Sequence, residues 1–416
     1  MKLARSQLHV ALVAPAWPPE SNSNGIVTYV RWMRKGLIAQ GCRVSVFAFS
    51  VDPTCADADV HLIRASRSPV AALRRITSRL AGKQTSAYDG GDQIAASIAR
   101  VHIDSPIHII EMEESFGWAA GVQEATRLPV VVKLHGPAFL HLVDEELATE
   151  FGQEKVRCEG AALKRLPFVL SPSRGHLVET IARYGLRPSI AEHVVNPLGM
   201  AVDAQLWDLQ RCDPHLVLFV GRFDKVKGGD VVIRAFHVLW KKQPALRLLF
   251  VGPDPGLLQP DGTRISIVQF ITSLGDPDFT PSVQVCGRLP PTEIAPLRTQ
   301  AMCTVIASRC ENQAYTALEA MLQGCPVVGT DCSGLSEMID HGVNGLKARV
   351  GNADDLALKL EQILAAPTWA ASLGAEARRN VLANHDPEHV AARAVGIYRQ
   401  AIALSAPGAL SVRGEA

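Results

Sequence analysis

The sequence predicts an α/β protein of two doubly wound parallel-sheet domains that face a central cleft. Short apolar runs alternate with helical patterns along most of the 416 residues, which is typical of parallel sheets covered by helices on both faces. The alternation stops once, at 198–215, in a polar, turn-rich stretch, and then restarts. A chain of this length can bury about two or three cores, so we interpret this stretch as a linker between two similarly wound halves.

Apolar runs bounded by glycine, proline and polar residues predict the strands, and a 3.6-residue apolar period predicts the helices. In the first half we expect strands at 8–14, 43–49, 107–111, 130–134, 167–171 and 192–195, with helices at 26–39 and 174–184. In the second half we expect strands at 216–220, 246–251, 283–286, 303–306 and 326–329, with a helix at 230–241. The predicted domains are 1–198 and 199–385, followed by a helical segment at 386–404 that crosses back to the first domain and a frayed tail at 405–416.

Composition and charge exclude several classes of protein. Hydrophobic residues make up 47% and charged residues 20% of the chain, which argues against broad disorder. A formal net charge of +1 gives no reason to expect a nucleic acid partner. The nine cysteines form no C-x-x-C pair, so we expect reduced thiols in the cytoplasm and neither a zinc site nor disulfides.

The beginning of the chain imitates a secretory signal, with Lys2 and Arg5 ahead of an apolar segment. That segment runs only from Val10 to Ala16 and contains Pro15, so a buried first strand is the favoured interpretation. No apolar run approaches the ~20 residues that a membrane-spanning helix needs.

An acidic motif dominates the second half: 309-RCENQAYTALEAMLQGCPVVGT-330. Strong helix formers surround Glu319, and Gly324 followed by Pro326 ends the predicted helix. Glu311 lies on the loop before this helix. A helix N-terminus attracts anions such as phosphate, and carboxylates accept hydrogen bonds from hydroxyls. The combination predicts a pocket for a phosphorylated, polyhydroxylated ligand such as a sugar nucleotide.

A basic motif, 221-GRFDKVKGGD-230, follows a predicted strand and precedes a predicted helix. It places Arg222 and Lys227 on one loop, where a planar guanidinium and a compact ammonium can neutralise a diphosphate. The alternative is a solvated basic loop, but the position of GR-x4-KG directly after a strand favours phosphate binding.

With these two motifs in place, the chain resembles the retaining family-4 glycosyltransferases of the GT-B fold, also called glycosyl transferases group 1, in which two Rossmann-like domains face each other. The matching segments are 24-NGIVTYV-30, 133-KLHG-136, 196-NPLGMAVD-203, 221-GRFDKVKGGD-230, 311-ENQAYTALEAMLQGCPVVGT-330 and 333-SGLSEMIDHGVNGL-346. Two positions depart from the usual pattern: Asn24 and Ser333 stand where many relatives carry glycine. Because asparagine tolerates positive φ, we expect the turn at Asn24 to be retained.

The resemblance implies a role for each matching position. Glu311 would contact hydroxyls of the donor sugar, Glu319 would hold the ribose, Arg222 and Lys227 would bind the diphosphate, and His135 would face the sugar near the reacting carbon. The other donor contacts implied are Gly25, Arg288, Leu289, Asn312, Gln313, Ala314, Thr316 and Leu318. For His135 the alternative is a structural histidine with satisfied hydrogen bonds.

The predicted activity is transfer of a hexose-type sugar from a nucleoside diphosphate, with uridine as the default base, to a hydroxyl acceptor. The resemblance implies retention of the anomeric configuration and a role in bacterial polysaccharide, glycolipid or glycoconjugate synthesis. No D-x-D stands at a convincing strand end, so no metal or other cofactor is expected, and the two cations with the helix N-terminus would stabilise the leaving phosphate. The alternatives are a GT-B-shaped epimerase acting on the sugar nucleotide and a non-catalytic sugar-nucleotide-binding protein.

Two further segments carry open interpretations. The segment 111-EMEESFGWA-119 follows a predicted strand, and Glu113 there either meets an acceptor hydroxyl or belongs to an acidic loop that caps the next helix. The segment 69–83 can form a helix with Arg75, Arg79 and Lys83 on one stripe. An ordinary surface helix is favoured over peripheral contact with the inner face of the cell membrane, which would suggest a lipid-linked acceptor.

Overall fold

The structure is a computed structural model that describes residues 7–19, 24–64, 86–200, 205–259 and 261–406. The chain divides into two compact units. The first unit contains the described residues up to Leu140, those from Leu147 to Pro197, and those from Pro387 onwards. The second unit contains His141–Glu146 and the described part of Leu198–Asp386.

The first unit is built on a parallel sheet of seven described strands. The strands are β1 (His9–Ala14), β2 (Arg43–Ala48), β3 (Val60–Leu62), β4 (Ile109–Glu113), β5 (Val130–Lys133), β6 (Phe168–Ser171) and β7 (Ile190–His193). Their order in the sheet is β3-β2-β1-β4-β5-β6-β7. The helices along this part of the chain are α1 (Gly25–Ala39), α2 (Ser86–Asp104), α3 (Trp118–Thr126), α4 (Ala138–His141), α5 (Asp144–Leu147), α6 (Glu150–Leu163) and α7 (Arg174–Tyr184).

The second unit has a parallel sheet of six described strands and a small antiparallel hairpin. The strands are β8 (Asp213–Val220), β9 (Arg247–Val251), β10 (Leu257–Leu258), β11 (Arg264–Ile265), β12 (Val283–Gly287), β13 (Ala301–Ile306), β14 (Val327–Thr330) and β15 (Leu346–Ala348). The sheet order is β12-β9-β8-β13-β14-β15, and β10 pairs with β11. The helices are α8 (Gly229–Lys242), α9 (Ile267–Ser273), α10 (Pro291–Gln300), α11 (Tyr315–Gln323), α12 (Ser333–Ser336), α13 (Ala353–Ala365) and α14 (Pro367–Asn384).

Both sheets reverse their strand order at one point, between β1 and β4 in the first unit and between β8 and β13 in the second. This is the doubly wound arrangement, so the predicted fold class is confirmed. Loops that leave the carboxyl ends of the two strands at such a reversal diverge to opposite faces of the sheet and leave a crevice for ligands. The motif loops 221–228 and 307–314 follow β8 and β13 and therefore flank this crevice in the second unit.

The last helix, α15 (Pro387–Ser405), belongs to the first unit. It packs against α1 so closely that a Cβ on Gly36 would lie 2.0 Å from the carbonyl oxygen of Pro387. The fully buried Tyr398 of α15 donates a hydrogen bond of 2.7 Å to Glu111 in β4. No helix within the described ranges is both long and apolar enough to cross a membrane.

Several predicted element bounds are wrong. The strand expected at 107–111 lies at Ile109–Glu113, because the Ile107 N–H donates to the His102 ring instead of to a neighbouring strand. Glu111 is consequently a buried strand residue and not part of a loop beyond the strand. The strand expected at 192–195 lies at Ile190–His193. The segment 69–83, for which a basic helix was considered, lies outside the described residues.

Candidate functional site

The centre of the candidate site is an ion pair between Lys227 and Glu311, at the strand-order reversal of the second sheet. The Ser308 hydroxyl donates a hydrogen bond of 2.8 Å to the same Glu311 oxygen. Lys227 lies on the loop after β8, and Glu311 lies on the loop after β13. The sequence prediction of an acidic and a basic motif in one pocket thus corresponds to a direct contact between them.

Asp224 and Arg309 fix the two loops relative to each other. Asp224 accepts the Lys227 N–H at 2.7 Å, and the Arg309 N–H donates to the Val226 carbonyl at 2.8 Å. The Arg309 guanidinium binds both carboxylate oxygens of Asp230, at the start of α8, at 2.8 and 2.7 Å. This bidentate geometry is the strongest form of such a pair, so the fold sets the backbone from which the Lys227 side chain extends.

Two glycines allow the loops to approach one another. Gly228 has φ +69°, and a Cβ there would lie 2.0 Å from the Ala307 carbonyl oxygen. At Gly334 a Cβ would lie 1.6 Å from the Asn312 carbonyl oxygen, and the Gly334 N–H donates to the Glu311 carbonyl at 3.0 Å. The close approach requires a glycine at position 334, which this chain keeps. Ser333, which replaces the glycine usual in relatives, does not stand at that position.

The Glu311 carboxyl is buried, with 5% of the residue exposed. Burial by itself raises its pKa, but the Lys227 ammonium and the Ser308 hydroxyl outweigh burial, and the net pKa lies below the ordinary value. Lys227 keeps 31% of its side chain exposed. Glu311 is therefore a carboxylate at neutral pH, and Lys227 is a cation that an anionic ligand can reach.

Helix α11 begins at Tyr315, four residues after Glu311, and no side chain caps its N-terminus at Ala314. Glu319 lies one turn into this helix and pairs with Arg298, whose side chain is only 3% exposed. An uncapped helix N-terminus carries partial positive charge and unsatisfied N–H groups. The predicted positions of Glu311 before the helix and Glu319 within it are confirmed, whereas the buried partner Arg298 was missed.

Arg222 and Lys227 share a loop but bind different carboxylates: Arg222 binds Asp224, and Lys227 binds Glu311. The Arg222 guanidinium lies 2.6 Å from Asp224 on its own loop, and 53% of its side chain is exposed. The Arg222 side chain can therefore turn toward a phosphate. Breaking its pair with Asp224 costs little free energy, because the arginine side of that pair is already largely solvated.

The remaining donor contacts predicted for the second unit lie around the start of α11 and after β12. Asn312, Ala314 and Leu318 are buried, and Gln313 and Thr316 are half-buried, all around the start of α11. Arg288 is exposed after β12. Leu289 packs against an apolar cluster that includes Leu218 and Val251.

In the first unit, His135 follows β5 and is half-buried. Burial, with a contribution from the Lys133 ammonium, lowers the pKa of the His135 ring to about 3. The Tyr29 ring meets this imidazole edge-on, with ring centroids 4.9 Å apart. His135 is therefore neutral at physiological pH, so its ring can offer a hydrogen bond but not a positive charge.

Gly25 is the first residue of α1, and Asn24 precedes it. Asn24 has φ −114° and accepts the Ile26 N–H at 2.8 Å through its side chain. The expectation that asparagine serves here by tolerating positive φ is wrong, because the residue is an extended N-cap.

Glu113 ends β4 and is half-buried. The Ser115 hydroxyl donates to it at 2.8 Å, and burial together with the neighbouring Glu114 raises its pKa to about 7. Neither Glu113 nor Glu114 uses its side chain to cap the turn or the helix that follows. The alternative interpretation of this segment as an acidic loop that caps the next helix is therefore wrong. Glu114 instead accepts backbone N–H groups of the His135 loop.

Comparison with known proteins gives the family. The family model described as "Glycosyl transferases group 1" matches residues 208–380, and the model described as "Glycosyl transferase 4-like domain" matches residues 24–199. The chain consists of a glycosyl transferase 4-like domain followed by a glycosyl transferases group 1 domain. The two matches together cover most of both units, and the candidate Lys227–Glu311 pair lies in the group 1 part.

Curated relatives of this chain include D-inositol 3-phosphate glycosyltransferases. The protein of Nocardiopsis dassonvillei is 32% identical over 183 residues, which is 42% of this chain and 39% of the relative. That of Thermobifida fusca is 27% identical over 271 residues, which is 62% of this chain and 61% of the relative. The alignments thus span only part of the length of these relatives.

Solved structures share the fold over nearly the whole chain. The sucrose-phosphate synthase of Thermosynechococcus elongatus has a TM-score of 0.70 at 21% identity, covering 95% of this chain and all of that one. HepE of Anabaena, described in complex with UDP and glucose, has a TM-score of 0.68 at 15% identity with the same coverage. At these identities the likeness establishes the GT-B fold.

Proposed function

We propose that this chain is a retaining glycosyltransferase that moves a hexose-type sugar from a nucleoside diphosphate to a hydroxyl acceptor. The observation that carries the proposal is the Lys227–Glu311 pair beside the uncapped start of α11. A buried carboxylate can accept hydrogen bonds from sugar hydroxyls, and the neighbouring ammonium and helix N-terminus can bind a diphosphate. A sugar nucleotide carries sugar hydroxyls and a diphosphate in one molecule, which matches both parts of the site.

The reaction proposed is a front-face substitution. The bond between the anomeric carbon and the leaving phosphate oxygen breaks, and the acceptor oxygen bonds to that carbon from the same face. The acceptor's proton passes to the departing phosphate oxygen. Lys227, Arg222 and the N–H groups of α11 stabilise the charge that grows on the phosphate, which is the part that a metal plays in other transferases.

The roles of the other residues follow from the resemblance. Glu319 binds the ribose, and His135, which is neutral, offers a hydrogen bond near the reacting carbon. Uridine is the proposed base, and polysaccharide, glycolipid or glycoconjugate synthesis is the proposed setting. A cytoplasmic location is supported by the nine cysteines, all of which are free thiols.

Peripheral membrane contact through 69–83 stays a prediction. Co-sedimentation with anionic liposomes that weakens when Arg75 and Arg79 are reversed to glutamate would support it. Binding that is absent, or unaffected by these changes, would remove the idea.

The test is an assay of purified protein against UDP-sugars with a panel of acceptors. The panel includes D-inositol 3-phosphate, which the names of the curated relatives suggest. We expect UDP release that depends on the acceptor, and an α-linked product from an α-linked donor by NMR of the anomeric proton. A β-linked product would reject retention. A converted sugar nucleotide without acceptor would favour the epimerase, and binding without turnover would favour the non-catalytic protein.

A further inference from the structure

The loop that carries His135 is held by carboxyl groups through its backbone. Glu114 accepts the His135 N–H at 2.9 Å and the Gly136 N–H at 2.6 Å, one on each oxygen. Glu159 accepts the Ala138 N–H at 2.8 Å. Since the remaining loop residue is Pro137, which has no N–H, every backbone donor from 135 to 138 is bound by one of two glutamates.

A tight turn brings the two glutamates to the same loop. Glu114 follows β4, and the next residues include Phe116 at φ +57° and Gly117 at φ +70°. A Cβ at Gly117 would lie 2.3 Å from the Cys158 carbonyl oxygen, so the turn lies directly on the α6 backbone next to Glu159. A bulky residue with positive φ is unusual and marks a site where surrounding structure enforces the backbone.

Both carboxyl groups are nearly inaccessible to solvent, Glu114 at 2% and Glu159 at 0% exposure. Their bonding differs, however. Glu114 uses both oxygens as acceptors of N–H groups, which suits a carboxylate. Glu159 uses only Oε2, and its Oε1 is buried without a hydrogen-bond partner, which would leave a charged form poorly solvated.

The electrostatic surroundings favour a proton on Glu159. Burial, followed by the charge of Glu114, raises the pKa of Glu159 to about 8, against smaller opposing effects of the Ala138 N–H, Lys155 and the nearby Phe116 N–H. Glu159 is therefore largely protonated at neutral pH. Burial raises the pKa of Glu114 as well, against the loop N–H groups that it binds. The clear difference between the two carboxyl groups is therefore how many loop N–H groups each accepts, two for Glu114 and one for Glu159.

We propose that Glu114 and Glu159 are positioning residues for the transfer reaction: they fix the backbone from His135 to Ala138, and thereby the His135 ring, in the geometry that the reaction requires. This inference rests on the proposed role of His135. An error of about 1 Å in the placement of a reacting group can reduce turnover about a hundredfold. Anchoring by main-chain hydrogen bonds leaves the imidazole itself available for substrate.

The difference between the two carboxyls makes the inference testable by glutamine substitution. Glutamine has one acceptor oxygen and one amide donor. Glu114→Gln therefore confronts one loop N–H with another donor, whereas Glu159→Gln keeps the acceptor for Ala138 and resembles the protonated acid. Glu159→Leu removes that acceptor, and Glu124→Gln, an exposed glutamate paired with Arg165, serves as the control.

For turnover, we expect Glu114→Gln to lower kcat about thirtyfold to a hundredfold, with the donor KM changed less than about threefold. Glu159→Leu should lower kcat about tenfold, whereas Glu159→Gln should keep more than about half of the wild-type kcat. A parallel loss of kcat and donor affinity, or Glu159→Gln as inactive as Glu159→Leu, would overturn the proposal. Should Glu114→Gln fail to fold in thermal melts, the Glu159 pair carries the same test.

Hydrogen exchange of the peptide covering 134–140 gives a readout that needs no activity. We expect its slow amides to exchange at least about tenfold faster in Glu114→Gln, and at the wild-type rate in Glu159→Gln and Glu124→Gln. Wild-type protein without any transfer activity would reject the proposed function while the exchange pattern still reports the anchoring. Active wild type with fully active Glu114→Gln would reject the positioning role alone.

Discussion

The two units use glutamate in opposite ways. In the second unit, Glu311 pairs with the side chain of Lys227, which remains partly exposed. In the first unit, Glu114 and Glu159 bind backbone N–H groups and are almost completely buried. A carboxylate bound by a mobile side chain can exchange that partner for a ligand, whereas a carboxyl bound by the main chain fixes geometry. Side chains in the second unit thus suit binding, and those in the first suit positioning.

Among the variants that test this contrast, Glu311→Gln should cause the largest loss of activity. Losing the charge removes the pairing with Lys227 and weakens acceptance of sugar hydroxyls, so we expect kcat/KM to fall about a hundredfold to a thousandfold. Folding should change little, because Lys227 can be solvated. Steady-state kinetics and thermal melts measure both, with Glu145→Gln, which loses a similar pair with Lys225, as the control. A melting temperature that falls together with activity would place Glu311 with the positioning carboxyls.

Glu319→Leu tests whether a glutamate of the second unit also supports the fold. It leaves the buried Arg298 without its acid, which we expect to cost about 3 kcal/mol of unfolding free energy, and it should weaken donor binding about tenfold through loss of the ribose contact. The double variant Arg298→Leu/Glu319→Leu should recover stability but not donor affinity. Urea denaturation and calorimetric titration with UDP separate the two. Recovery of donor affinity in the double variant would show that Glu319 acts only through Arg298.

Arg222→Ala sharpens the contrast between binding and transition-state stabilisation. Because charge grows on the leaving phosphate during reaction, we expect turnover to fall about tenfold to a hundredfold while donor affinity falls less than about threefold. Arg211→Ala, which removes an exposed arginine paired with Asp208 in the same unit, is the control. Equal losses of turnover and affinity would mean that Arg222 only binds.

The last effect concerns how the stability of the protein depends on pH. Between the ordinary pKa of 4.5 and the folded value of about 8, folded Glu159 holds a proton that the unfolded chain has released. Stability contributed by this group is therefore lost as pH rises through that window, with a slope of up to about 1.4 kcal/mol per pH unit.

Glu159→Gln cannot titrate, so its stability difference from wild type should change with pH between about pH 5 and pH 8. Urea denaturation at several pH values measures this difference. A difference that does not vary with pH would mean that Glu159 is ionised in the folded protein, against the assignment made above.

The sequence was informative where function is carried by motif side chains in loops next to strands. Glu311, Glu319 and Lys227 lie where strand, loop and helix patterns placed them, because those patterns depend on local spacing. Glu159 could not be found this way: it lies on a helix surface, 24 residues from His135 in sequence, and only tertiary packing brings it to Ala138. Arg298 was missed for the same reason. Glu114 follows the predicted strand next to Glu113, but its partners are backbone N–H groups, which have no sequence signature.

The return of α15 to the first unit determines how the chain can be dissected. A fragment that stops after Pro197 would lack Tyr398, one of two hydroxyl donors to the buried Glu111, and would leave the α1 surface around Gly36 uncovered. Expression of the amino-terminal half alone should therefore yield an aggregation-prone product. Supplying residues 387–406 as a separate peptide or by a short fused linker is the design that would give a soluble half-molecule for acceptor screening.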